Sequence, residues 1–141
     1  MSDHDMTRGA PITGLSHVQL LVTDVQVSAA WYAVALGLEP YVEDVDNGYI
    51  ALRHRGARVV IVLTSRAEAT TDEKLNAGRL DHMAFAVPDD SVLQTWAGHL
   101  TEMSIEHDGV VLESGNFSLQ LRDPDGIAIE LVAPGASIRH Q

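Results

Sequence analysis

Hydrophobic positions along the chain follow two rhythms, one of period two and one near 3.6, and the series of rhythms recurs. Gly14-Leu15-Ser16-His17-Val18-Gln19-Leu20-Leu21-Val22 predicts a strand. Asp24 is placed to cap a helix and Gly37 to end it. Val25, Ala29, Tyr32, Ala33 and Leu36 fall at helical spacing and form its expected buried stripe. Strands are expected near Tyr41–Val45 and Tyr49–His54, followed by a turn at Arg55-Gly56-Ala57 and an apolar strand at Val59–Thr64.

Leu80–Val87 starts the series again. His17 and His82, Asp24 and Asp89, and Trp31 and Trp96 are each 65 residues apart. Leu93, Trp96, Ala97, Leu100 and Met103 make a second helical stripe. Ile105–Val111, Phe117–Arg122 and Ile127–Val132 supply three more strands, the last 68 residues after Val59–Thr64. Each half thus reads β-α-β-β-β, and such self-similarity outranks any single motif. The pattern predicts one α+β domain of two tandem βαβββ modules. It divides into an N-terminal arm (1–12), a first module (13–64), a linker (65–79), a second module (80–133) and a tail (134–141).

Alternation assigns faces. Val18, Leu20 and Val22, with Met83, Phe85 and Val87 and with Ile127, Ile129 and Leu131, give each sheet a large apolar side suited to packing under a helix. The opposite side carries His17, Gln19 and Leu21; His82, Ala84 and Ala86; and Ala128, Glu130 and Val132. A face of small residues with two imidazoles and a carboxylate reads as a cleft. Charge inside a strand is costly unless it is paired or metal-bound. Glu130 therefore has two readings: an ion pair with Arg122 or Arg53, or a metal ligand with His17 and His82. Two His and one Glu leave coordination positions open and suit Fe(II), Mn(II) or catalytic Zn(II). Gln19, Ser118, Gln120 and Arg122 fall on the same side and are the expected substrate contacts. Ser16 beside His17 suggests a nucleophile and base, but neighbours within a strand point to opposite faces. Trp31, Tyr32, Phe85 and Trp96 are expected in the core.

Composition narrows the classes. The formal net charge is −11 with a single lysine, Lys74, which disfavours nucleic acid and acidic membranes. With no cysteine, disulfides, zinc-thiolate sites and cysteine catalysis are excluded. No apolar run approaches about 20 residues and the N-terminus lacks a signal-peptide pattern, so a soluble, cytoplasmic protein is expected.

The duplicated unit, the His opening each copy, and Asp123-Pro124-Asp125-Gly126 followed by Glu130 together resemble the vicinal oxygen chelate superfamily. That group includes glyoxalase I, extradiol dioxygenases, fosfomycin-resistance enzymes, methylmalonyl-CoA epimerase and bleomycin-binding proteins. The resemblance spans about residues 12–134. It implies curved sheets around a cleft, often completed by a homodimer, with one divalent metal (Fe, Mn, Zn or Ni) chelating adjacent oxygens of a small substrate. The family's ligand places fall on His17, His82 and Glu130, and its fourth on Val62, which cannot coordinate. Glyoxalase I usually has Glu or Gln there. Two His and a Glu are similar to extradiol dioxygenases and fosfomycin thiol transferases. Extradiol enzymes, however, usually place a Tyr near Gln120, and fosfomycin enzymes need a cationic pocket, for which Arg122 and Arg53 are available. The resemblance thus implies a metal-dependent enzyme, extradiol dioxygenase-like by its ligand set, with a glyoxalase-like isomerase or lyase and a fosfomycin-type transferase as alternatives. A metal-free protein that binds an antibiotic or aromatic metabolite is the reading from another class.

Overall fold

The structure, a computed structural model, describes residues 15–65, 80–113 and 115–135. The expected arm, linker and tail fall almost wholly outside these residues. The first module runs β1 (Val18–Val22), α1 (Val25–Leu36), β2 (Glu39–Asp44), β3 (Tyr49–Arg53) and β4 (Val60–Ser65). The second runs β5 (His82–Ala86), α2 (Asp90–Glu102), β6 (His107–Glu113), β7 (Asn116–Arg122) and β8 (Ala128–Pro134). Each makes a four-stranded sheet, ordered β1-β4-β3-β2 and β5-β8-β7-β6. No described helix is long and apolar enough to cross a membrane.

The repeat extends to strand register. β1 runs parallel to β4 with Gln19 opposite Val62, and β5 runs parallel to β8 with Ala84 opposite Glu130. The parallel pair needs a crossover, and α1 and α2 supply it. Asp24 and Asp89 cap these helices by accepting the N–H of Val27 (3.1 Å) and Val92 (3.0 Å). Gly37 ends α1 in the left-handed region, φ 71°, where a side chain would be strained.

The apolar faces pack as alternation requires. Leu20, Val22, Leu52, Ile61 and Leu63 are buried in the first module, and Leu119, Leu121, Ile129 and Leu131 in the second. A fully buried aliphatic side chain of this size stabilises by about 2 kcal/mol. The α1 stripe differs in detail from expectation: Ser28 and Ala35 are buried, while Val25 and Ala33 are half-buried. The helix carries no charged residue and meets protein on a second side, so one periodic stripe does not describe it. In α2, Leu93 and Leu100 are buried, whereas Met103 lies at the C-terminal end and is exposed.

That second side of α1 meets the Asp123-Pro124-Asp125-Gly126 turn of the other module. The Tyr32 hydroxyl donates to Asp123 Oδ2 (2.8 Å), and Asp123 Oδ1 accepts the N–H of Asp125 (2.9 Å) and Ile127 (2.8 Å). Asp125 accepts from the Thr23 hydroxyl and from its backbone N–H (3.1 Å). Burial, and next the charge of Asp123, push the Tyr32 phenol far above its ordinary pKa, so it stays a donor. His99 of α2 adds a contact to the Val34 carbonyl of α1 (2.9 Å).

Candidate metal centre

β8 and β5 bring the first two candidate ligands together. Glu130 and Ala84 are paired in register, and His82 sits one two-residue step back on the same face. His82 Nε2 lies 3.2 Å from Glu130 Oε2. The other Glu130 oxygen accepts from Gln120 Nε2 at 3.0 Å, a contact set by the β7–β8 pairing of these two residues. His82 Nδ1 lies 2.8 Å from Asp81 Oδ2. Asp81, and next the charge of Glu130, raise the His82 pKa above its ordinary value. The pair is accessible: the His82 side chain is 47% exposed and that of Glu130 20%.

Glu130 is thus not held by an arginine. Arg122 donates to the Gly126 carbonyl (2.9 Å), and the Arg53 guanidinium lies 5.2 Å from the centre of the Tyr41 ring. Asp81 is a residue that sequence reasoning passes over. Its only signal is an Asp-His dipeptide at the mouth of a strand.

His17 is placed differently. It precedes β1 and is exposed, with Nδ1 3.0 Å from Ser16 Oγ. These two side chains meet because the strand starts at Val18, one residue beyond His17, so strand alternation does not separate them. Among the described residues no three His, Asp or Glu side chains are arranged to hold a metal ion, so His17 stands apart from the His82–Glu130 pair. The two histidines remain alike in one respect: each has Nδ1 beside the side chain of the preceding residue.

The expected substrate contacts divide between the sheets. Gln120 and Arg122 lie on the Glu130 face, and both line a cavity of about 600 Å³ with Trp31, Ser104, Glu106 and Ala128. Ser118 is on that face too, 5% exposed, and its Oγ has no hydrogen-bond partner among the described residues. Gln19 is exposed on the matching face of the first sheet, next to Val62. Leu21, on the same face, is 65% exposed. β1 and β5 both end their sheets, so each leaves one edge unpaired among the described residues.

Residues 14–131 match the model of the glyoxalase/bleomycin resistance protein/dioxygenase superfamily. A glyoxylase/bleomycin resistance protein/dioxygenase domain from Frankia sp. EAN1pec superposes with a TM-score of 0.75 at 25% identity, covering 93% of this chain and all of that one. Lactoylglutathione lyase from Agrobacterium tumefaciens (TM-score 0.68, 18% identity, 88% of this chain, 96% of that one) shares the fold. So does the fosfomycin resistance protein FosX from Listeria monocytogenes (0.66, 20%, 92% and 99%). A Caenorhabditis elegans protein is 27% identical over 135 residues, 92% of this chain, and this chain spans about a third (34%) of that relative's length.

Proposed function

The chain belongs to the glyoxalase/bleomycin resistance protein/dioxygenase superfamily, and within it we propose a metal-dependent enzyme acting on a small substrate with adjacent oxygens. The metal-binding residues are His17, His82 and Glu130. The observation that carries this reading is the 3.2 Å between His82 Nε2 and Glu130 Oε2. Two donors each about 2.1 Å from one ion stand roughly 3 Å apart, so this spacing fits joint ligation. Asp81 on Nδ1 supports it further, because a carboxylate there fixes the ring and leaves Nε2 as the donor.

His17 completes the set from a second copy of the chain. What supports this is its exposure, its place just before an edge strand whose outer side is unpaired among the described residues, and the bare Leu21 farther along that strand. An exposed edge of this kind is normally paired or covered, and a homodimer covers the β1 edge beside His17. A bound divalent ion supplies Lewis-acid polarisation of the substrate's oxygens. The chain's own residues do the rest. Gln120 holds one Glu130 oxygen and so turns the other toward His82. Arg122 has guanidinium N–H groups beyond the one given to Gly126 and presents them to an anionic substrate oxygen. Gln19, exposed on the first sheet, hydrogen-bonds the remaining polar groups, and Ser118 lies buried beneath the Glu130 face.

Val62 stands opposite Gln19 where Glu130 stands opposite Ala84, so the first module offers no fourth donor. Two His and one carboxylate with open positions is the ligand set of non-haem Fe(II) oxygenases. Ring-cleaving dioxygenation therefore ranks first, ahead of a glyoxalase-like or thiol-transferring reaction. Oxygen uptake by Fe(II)-loaded protein with catechols is the expected result. Turnover only with Ni(II) or Zn(II) and thiol adducts of 2-oxoaldehydes overturns the ranking. One observation favours a metal-free binding protein: no three-ligand group forms among the described residues. Metal content after native purification decides between the two. About one ion per chain, lost in His82→Ala, supports the enzyme; none in the parent supports sequestration.

A further inference from the structure

Along β8 the Glu130 face changes character in one step. Ala128, Glu130 and Val132 share that face, each about 7 Å from the next. On the Ala128 side lies the polar cavity that holds Gln120 and Arg122. On the Val132 side, along the β5 edge, lies a trough of about 320 Å³ lined by Ala84, Phe85, Ala86, Val87, Val132, Pro134 and Asn116. Register puts Ala84, Ala86, Val132, Pro134 and Asn116 on the Glu130 face: Ala86 pairs with Val132 and Asn116 with Pro134. No charged side chain lines the trough. Ser118 pairs with Val132 on the same face, and its buried Oγ lacks a partner among the described residues.

We propose that this trough takes an apolar arm of the substrate, flat and about the size of a phenyl ring, while the substrate's paired oxygens sit at His82 and Glu130. The assignment rests on the reading of that pair as a metal centre and names the substrate class for it. Charge sets the polarity. Arg122 and the acidic groups are on the far side of Glu130, so an anionic or strongly hydrated group gains nothing over Ala86 and Val132. The alanines make room, since a larger residue at 84 or 86 would fill the space beside Glu130. Asn116 at the end gives the arm one polar neighbour, which suits a ring bearing a single polar substituent.

The test compares acetohydroxamic with benzohydroxamic acid, two chelators that differ in the apolar arm. Both are titrated into full-length protein, with and without one equivalent of Zn(II), and followed by amide NMR signals. Benzohydroxamic acid is expected to bind about tenfold or more tightly in both series and to shift the signals of Ala84, Ala86 and Val132. Ala86→Leu, which fills the trough, and Ala86→Glu, which charges it, each bring the affinity ratio to about one. Equal affinities in the parent, shifts confined to other residues, or a ratio that survives both variants overturns the proposal. A trough covered by a second copy binds neither acid, which also overturns it. If zinc changes nothing while the ratio and the shifts persist, the metal reading fails and the trough stands.

Discussion

The two modules share a scaffold and differ in what they carry on it. Their buried faces match in kind: Leu20 and Leu63 lie in the core, as Leu131 does, with Phe85 packed against it. The open faces do not match. Val62 stands where Glu130 does, opposite Ala51 where the second module has Gln120. His17 meets a serine, His82 an aspartate. Packing constrains a buried face at every position, because cavities and overpacking both cost stability. An open face is free to specialise. In the proposed site the first module would contribute an imidazole and an amide, beside the carboxylate network that the second holds around His82.

The largest effects test that division. Glu130→Gln and His82→Ala are expected to abolish metal uptake, read as a fall from about one ion per chain to none by elemental analysis. Val62→Glu, the equivalent change in the first module, is expected to keep the ion and bind it more tightly. Equal loss from all three variants would break the comparison. Co-expression sharpens it. His17→Ala and His82→Ala each lose the metal alone, but a mixed dimer of the two keeps one intact site, with His17 and His82 drawn from different chains. Recovery of about half an ion per chain in the mixed dimer is expected, and no recovery places each site within one chain.

What the sequence reveals follows the same line. The duplicated modules are legible because period-two and helical rhythms report burial, and burial dominates both sheets. The spacings of 65 residues between the first strands and of 68 between the last ones together anticipate the matching β1–β4 and β5–β8 registers. The meeting of Glu130 with His82 follows from alternation, since both sit on one face of neighbouring strands. The Gln120 contact is placed by alternation too, but its partner is not, because pairing register across the β7–β8 turn is invisible in a single strand. His17 is where strand reasoning stops. It lies before β1, and its distance from the second module depends on how two sheets without shared hydrogen bonds are arranged. Asp81 escapes for a related reason: its contact is to the next residue and has no periodicity.

A smaller effect comes from the two partners at Nδ1. Removing a carboxylate behind a ligating histidine typically weakens metal binding about 10–100-fold. Asp81→Asn is expected to fall in that range. Ser16→Ala is expected to cost less, since a neutral hydroxyl is the weaker partner. The pH dependence has a definite sign. Asp81 first, and Glu130 next, raise the His82 pKa, and a proton on Nε2 competes with the ion. Metal uptake is therefore lost as pH falls through that raised value. Asp81→Asn moves the bend in a plot of log metal affinity against pH to lower pH, whatever the loss in affinity, and a bend that stays put or rises would remove His82 from the ligand set.

The smallest effects concern how each module's last hairpin turn is anchored. The second module's turn reaches across to α1, where buried Tyr32 donates to buried Asp123. Among the described residues the first module's turn is tied to its own sheet, through Arg55 and Glu39 at 2.9 Å, with side chains 82% and 45% exposed. A hydrogen bond to a charged group is worth about 1.5–3 kcal/mol, and an exposed ion pair about 0–1. Tyr32→Phe is accordingly expected to destabilise by about 2 kcal/mol in urea unfolding, and Arg55→Ala by less than about 0.5. Alkaline titration separates the mechanisms. The folded pKa of Tyr32 lies above its unfolded value near 10, so the contribution is complete below pH 10. Above it, the unfolded chain loses the proton while the folded chain keeps it, and stability falls with rising pH. Tyr32→Phe should flatten that slope and Arg55→Ala should leave it unchanged. A slope that survives Tyr32→Phe would mean that the two turns differ in packing alone, and that the bond to Asp123 does not join the modules.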